Sequence, residues 1–189
     1  FLNCVNNKFP FLKRSQAGLT ASVVGKKLKE KREELGYSLN SLSKKIGVTS
    51  RMIVKYENEN SEITINRAKK LYDLFGHQVF NEVNIFSQQS SPHGKFETAV
   101  SKKYVELGFD ATDTKKTPFD IIARKGSEII LTEVSDKVNP QMQSLSKLLE
   151  ADNLVIFSKK KPKNIPSLTK KEFMEFEEAN ELVKFLKEF

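Results

Sequence analysis

Apolar residues recur at helical spacing through the first half of the chain. Val24, Leu28 and Leu35 fall on one side of VGKKLKEKREELG, which Gly36 ends. In SLNSLSKKIG, Ser38 is the expected N-cap, Leu39, Leu42 and Ile46 keep the helical period, and Gly47 is the stop. Thr49 then caps SRMIVKYEN, whose Ile53 and Tyr56 face inward. ITINRAKKLYDLFG supplies a last helix through Ile65, Ala68, Leu71 and Phe75. Two short helices joined by a Gly turn, inside a small bundle, make a helix-turn-helix arrangement.

The pattern differs at both ends of this bundle. FPFLKR and LTASVV around SQAG suggest a leading β-hairpin, which cannot stand alone and must pack on something. SQQSSPHG is polar, small and Pro/Gly-punctuated, as a linker is. Beyond it GKFETAVSKKYVELGF reads as an amphipathic helix through Phe96, Val100, Tyr104 and Leu107. FDIIAR and IILTEV then read as strands about a tight KGSE turn, followed by the helix PQMQSLSKLLEA and the strand NLVIFS. A capping box, TKKE, opens an acidic helical tail expected to pack on the sheet. The expected fold class is α + α/β, a helical bundle followed by a domain with a mixed central sheet. Its parts are a leading hairpin at 1–23, a helix-turn-helix domain at 24–86, a linker at 87–94 and an α/β domain at 95–189.

Charge sharpens this division. The chain of 189 residues carries a net +8. Residues 1–86 hold 15 Lys and Arg against 8 Asp and Glu, whereas residues 87–189 hold 17 against 16. A basic excess confined to one module is the electrostatic footprint of a phosphate-backbone binder. No apolar run is long enough to cross a membrane. The single Cys4 excludes an internal disulfide and fits a reducing, cytoplasmic setting. His77 and His93 have no partners at ligand spacing, so no zinc site is expected. The opening FLNCVNNKFPFLKR has neither an initiator Met nor the shape of a signal peptide, which suggests a processed or partial chain.

Residues 24–76 resemble the helix-turn-helix domain of phage-repressor-type (XRE-type) regulators, without a gap through Glu57. The resemblance implies a buried pair, Arg32 with Glu57, that ties the first helix to the third. A bidentate guanidinium–carboxylate contact suits that task. It also implies base reading by Ser50, Arg51 and Lys55, with Thr49 and Asn58 near phosphates. An Arg in the major groove grips guanine N7 and O6, and Val54 on the same helix suits a thymine methyl. Lys44 and Lys45 stand away from the reading face, where phosphate contact is the role open to them. The family's usual Gln at the start of the second helix is Leu39 here, which removes one phosphate contact. A small bundle used as a protein-interaction adaptor is the rival reading for this module.

In the second module, Asp120 opens one apolar strand and Glu133 closes the next, and both are expected to face the helix that carries Glu97. Three carboxylates converging this way suit Mg²⁺, which then activates water against a phosphodiester. The segment 94–158 resembles the PD-(D/E)XK nuclease superfamily, and within it the archaeal Holliday-junction resolvases. That implies a restriction-endonuclease-like fold, with Glu97, Asp120 and Glu133 at the acidic positions. The motif lysine is Ser135, whose hydroxyl is neutral and too short for the lysine's work. Lys137, of the same strand parity as Ser135, and Lys147, on the next helix, are the lysines that could substitute. The expectation is a domain without catalytic residues, metal or cofactor; Mg²⁺ belongs only to the rival reading, a metal-dependent endonuclease or junction resolvase. KKKPK at 159–163 reads as a solvated basic loop.

The order of parts resembles an archaeal family of helix-turn-helix transcriptional regulatory proteins, in which SLNSL is the usual form of the second helix. Its members carry a further nuclease-like domain upstream, so this chain is expected to lack one. The resemblance implies a transcription regulator that binds double-stranded DNA as a homodimer, with the nuclease-like domain used for dimerisation or for sensing a partner or ligand. The sequence names no effector.

Overall fold

A computed structural model describes residues 9–10, 12–15, 18–83, 98–114 and 117–189. The chain divides into two compact units, Asn6–Gln88 and Gln89–Phe189. The expected linker at 87–94, together with Cys4, His93, Phe96 and Glu97, lies outside the described residues.

In the first unit, β1 (Phe9–Pro10) pairs antiparallel with β5 (Glu82–Val83). The expected hairpin is present as β2 (Leu12–Ser15) against β3 (Gly18–Ser22). What completes it is β4 (Glu62–Thr64), antiparallel to β3 and taken in the sequence for the start of a helix. The β-branched Ile63 and Thr64 favour the extended state there. Ile63 is buried, and Glu62 accepts a hydrogen bond from Thr20 Oγ1 across the ladder at 3.0 Å. The helices are α1 (Gly25–Glu34), α2 (Leu39–Ile46), α3 (Ser50–Asn58) and α4 (Ile65–Phe75). Leu28, Leu42, Ile46, Ile53, Ile65 and Leu71 are fully buried between them. Leu35, expected on the apolar side of α1, is 53% exposed. The helix stops one residue earlier, so that side chain leaves the buried face.

In the second unit, α5 (Ala99–Glu106) leads into a five-stranded mixed sheet. Its strands are β6 (Asp110–Asp113), β7 (Ile121–Lys125), β8 (Glu128–Val134), β9 (Asp152–Phe157) and β10 (Ser167–Thr169), in the order β10-β9-β8-β7-β6. β6, β7 and β8 form an antiparallel meander, while β8, β9 and β10 run parallel. The parallel step from β8 to β9 needs a crossover, supplied by α6 (Met142–Leu149). Two sheet strands were invisible in the sequence. DATD, as β6, is a polar edge strand that buries only Ala111, and SLT, as β10, is three residues long.

The tail is two helices rather than one, α7 (Lys170–Glu175) and α8 (Ala179–Lys187). Phe176 is extended, and a second capping box between Glu178 and Glu181 restarts the helix. Phe173, Leu182 and Leu186 pack with Tyr104, Ile130 and Leu154 in one apolar cluster, so the tail does cover the sheet.

Candidate nucleic-acid interface

The pair α2–α3 is built by local signals that the sequence states openly. Ser38 Oγ accepts from Ser41 N at 3.0 Å, and Thr49 Oγ1 accepts from Met52 N at 3.3 Å. Between them Gly47 takes φ +77°, a left-handed C-cap that ends α2 and turns the chain toward α3. Ser43 and Ser50 bring their hydroxyls to 3.3 Å across the junction of the two helices.

The first helix holds α3 at two points. Arg32 Nε donates to Glu57 Oε1 at 2.5 Å and Arg32 Nη2 donates to Glu57 Oε2 at 3.0 Å. The same guanidinium donates from Nη1 to the Tyr37 carbonyl at 3.0 Å, which ties in the turn before α2. The hydrogen bond to Glu57 outweighs burial and raises the Arg32 pKa above its ordinary value. One residue thus fixes three helices. The second point escaped the sequence. At Gly25 a β-carbon would stand 2.6 Å from the Tyr56 carbonyl oxygen, so only glycine lets α1 approach the end of α3 this closely. A glycine at the head of a helix, with no turn to make, was the available signal.

This frame buries Ile53 and Tyr56 and leaves the opposite side of α3 open. Arg51, Val54, Lys55 and Asn58 are exposed on it, and Thr49 is exposed at its head. Arg51 has no hydrogen bond or ion pair among the described residues. Lys55 has only a loose contact with Glu59 at 3.9 Å, both ends exposed. Ser50 is half-buried, its hydroxyl turned to Ser43. Lys44 and Lys45 are exposed at the end of α2, where Lys45 Nζ stands 5.5 Å from the Tyr37 ring centre. Leu39 is half-buried.

In the second unit the carboxylates are arranged otherwise than expected. Asp120 N donates to the Thr132 carbonyl, which places Asp120 beside Glu133 at the end of the β7–β8 ladder. Thr132 Oγ1 meets Tyr104 Oη of α5 at 2.7 Å. Alternation along β8 therefore turns Glu133 to the other face of the sheet, away from α5. There Glu133 Oε2 accepts from Asn139 N at 2.9 Å, and Asp120 Oδ2 accepts from Val134 N at 2.7 Å. Burial is the main cause that raises the Glu133 pKa, with Asp120 adding to it against the Asn139 bond. No group of three His, Cys, Asp or Glu suited to a metal occurs among the described residues.

Ser135 is spent on its own loop. Its Oγ accepts from Lys137 N at 3.0 Å and donates to the Lys137 carbonyl at 2.9 Å, while its backbone N–H donates to Ile156 O. Next to it Asp136 Oδ1 accepts from the N–H groups of Ser158 and Lys159, each at 2.8 Å, and of Lys160 at 3.5 Å. These bonds, with Lys159 first, lower the Asp136 pKa. The clamp joins the loops after β8 and β9, a role that nothing local in the sequence marks. Lys137 and Lys147 are both exposed.

A capped α2–turn–α3 with an open third helix defines a helix-turn-helix domain, and the family model described as Helix-turn-helix matches residues 28–76. Over 97% of its length the chain is 29% identical to a "Putative HTH-type transcriptional regulatory protein" of Methanosarcina acetivorans. Proteins likewise described as HTH-type transcriptional regulatory proteins match from Methanocaldococcus jannaschii (27% identity over 94% of the chain) and Saccharolobus solfataricus (30% over 84%). The chain spans 65%, 63% and 54% of the length of these three archaeal relatives. No solved structure gives a significant match. Among the described residues no helix is long and apolar enough to cross a membrane.

Proposed function

We propose that the chain is a sequence-specific, DNA-binding transcription regulator in which α3 enters the major groove. The observation that carries this reading is the two-sidedness of α3. One side is locked to α1 by Arg32, Glu57 and Gly25, and the other presents Arg51, Val54 and Lys55 to solvent. A reading helix needs both, because base contacts work only from a backbone that does not move. Arg51 takes the base edge, Thr49 and Asn58 lie at the ends of the helix for phosphate, and Lys44 and Lys45 add charge from α2. The names of the archaeal relatives support the same reading.

In this proposal the α/β unit works without catalysis, as a dimerisation element or a surface that senses a partner or ligand. The engaged hydroxyl of Ser135, and a buried Glu133 that faces away from α5 and binds Asn139 N, favour that over phosphodiester cleavage. Selection of binding sites from random duplexes tests the reading, run in parallel with the wild-type chain and Arg51→Ala. One enriched motif with the wild type, degraded at a base pair by Arg51→Ala, is the expected result. No enrichment by the wild type overturns it.

A further inference from the structure

We infer that the second unit has a phosphate-binding edge of its own, formed by the loops after β8 and β9, for the backbone of double-stranded nucleic acid. Residues 158–171 hold six lysines (159, 160, 161, 163, 170 and 171) and no acidic residue. Without those six, residues 87–189 carry 11 basic against 16 acidic side chains. Cations gathered on one edge of an otherwise acidic unit do more than solubilise it.

Their surroundings leave these charges available. Lys137, Lys159, Lys160, Lys161 and Lys163 are exposed, and none makes a salt bridge among the described residues. Elsewhere lysines do find carboxylates, as half-buried Lys31 does with Glu34 and exposed Lys187 with Glu128. The acids near the edge are hydrogen-bonded to backbone donors, and only at longer range does Asp136 face Lys159 and Glu172 face Lys161. Asp136 takes the N–H groups of the lysine loop, Glu172 caps α7 through Thr169, Asp120 binds Val134 N and Glu133 binds Asn139 N.

Geometry adds a second argument. The Asp136 clamp fixes the start of the lysine loop to the loop after β8, so the cations are displayed on a held backbone. Both loops leave the carboxyl ends of neighbouring parallel strands, where open α/β sheets bind their ligands. Lysine side chains without a base-reading fork suit phosphate, which carries no sequence information. The edge therefore adds affinity and salt dependence, and leaves sequence preference to α3.

This inference rests on the reading of the chain as a duplex binder, and the test separates the two. The triple variant Lys159→Gln/Lys160→Gln/Lys161→Gln of the 189-residue chain is compared with wild type and with the charge-matched Lys102→Gln/Lys147→Gln/Lys184→Gln. Binding to specific and scrambled duplexes is titrated at several salt concentrations. The loop variant should weaken both duplexes by the same factor, with the preference between them unchanged. Its salt slope should be shallower by about 0.9 for each phosphate that the loop no longer neutralises. A loop variant that matches the charge-matched control in affinity and slope overturns the inference. So does a loop variant that keeps duplex binding but loses wild-type binding to vesicles of anionic phospholipid. If the wild type binds duplex without sequence preference, the α3 reading fails, while the loop comparison still decides this one.

Discussion

Arg32 and Glu57, 25 residues apart, form a bidentate pair whose side chains are 10% and 5% exposed. A pair this dry is held by geometry, and its members depend on one another. Losing Arg32 leaves the Glu57 charge buried without compensation, whereas Arg32 without Glu57 still keeps Glu33 at 3.2 Å and the Tyr37 carbonyl. Arg32→Ala should therefore destabilise the helical unit by about 3–5 kcal/mol and Glu57→Gln by less, whereas Arg32→Met with Glu57→Leu should recover most of the loss. Urea unfolding of the three variants measures this. A single variant as stable as the wild type would show that the pair does not hold α3.

Reading and positioning separate on adjacent helices. Arg51→Ala should cost about 1–3 kcal/mol on the specific duplex and relax preference at one base pair. Lys44→Ala should weaken every duplex alike and lower the salt slope by about 0.9 if it touches phosphate. Titrations on specific and scrambled duplexes distinguish the two. If Arg51→Ala changes neither affinity nor preference, α3 is not the reader.

Symmetry gives a third test. Helix-turn-helix proteins of this kind read two half-sites, so a homodimer is expected, with its two α3 helices about 34 Å apart, one turn of duplex. Light scattering fixes the mass in solution. A monomer that binds a single half-site tightly contradicts the expectation.

The α/β unit should not cut nucleic acid. With Mg²⁺ or Mn²⁺, no cleavage of duplex, single-stranded or four-way DNA is expected. Cleavage that Asp120→Ala or Glu133→Ala abolishes would establish a nuclease instead.

The Glu133 carboxylate makes a pH prediction. Its folded pKa is raised, chiefly by burial, so the folded state binds its proton more tightly than the unfolded state does. Ionising it then costs stability, and that cost is present at neutral pH and disappears as pH falls below the ordinary carboxylate value. Glu133→Gln, which keeps an acceptor for Asn139 N, should be as stable as the wild type or more so at pH 7, with the gap closing in acid. Thermal melts from neutral to acidic pH read this out. A Glu133→Gln protein that is less stable at pH 7 would mean that the charge itself is needed there.

Much of the helical unit was legible because its signals are local. Ser38, Gly47 and Thr49 act within one turn of themselves, and the helical period of Leu42, Ile46, Ile53 and Tyr56 reports a buried face directly. The same holds for the two-residue turn at Gly126 and the capping box of Thr169 and Glu172, each closed by neighbours in sequence.

Tertiary structure decided what depends on partners far along the chain. EIT became a strand because β3 offered it a free edge, and Gly25 mattered because α3 passes close to it. Neither fact is local. Register along β8 assigned Thr132 to Tyr104 and turned Glu133 to the opposite face, since one residue reverses the side of a sheet. Asp136 likewise looks like any surface acid until the chain returns at Ser158 and supplies three N–H groups. The sequence thus determined where most helices lie and most of their apolar faces, because helix periodicity and caps are satisfied within a few residues. It did not determine the break at Phe176 or the exposure of Leu35. Only the folded chain decided which carboxylates meet and which lysines stand unpaired, because those outcomes depend on strand pairing between segments that carry no local mark of one another.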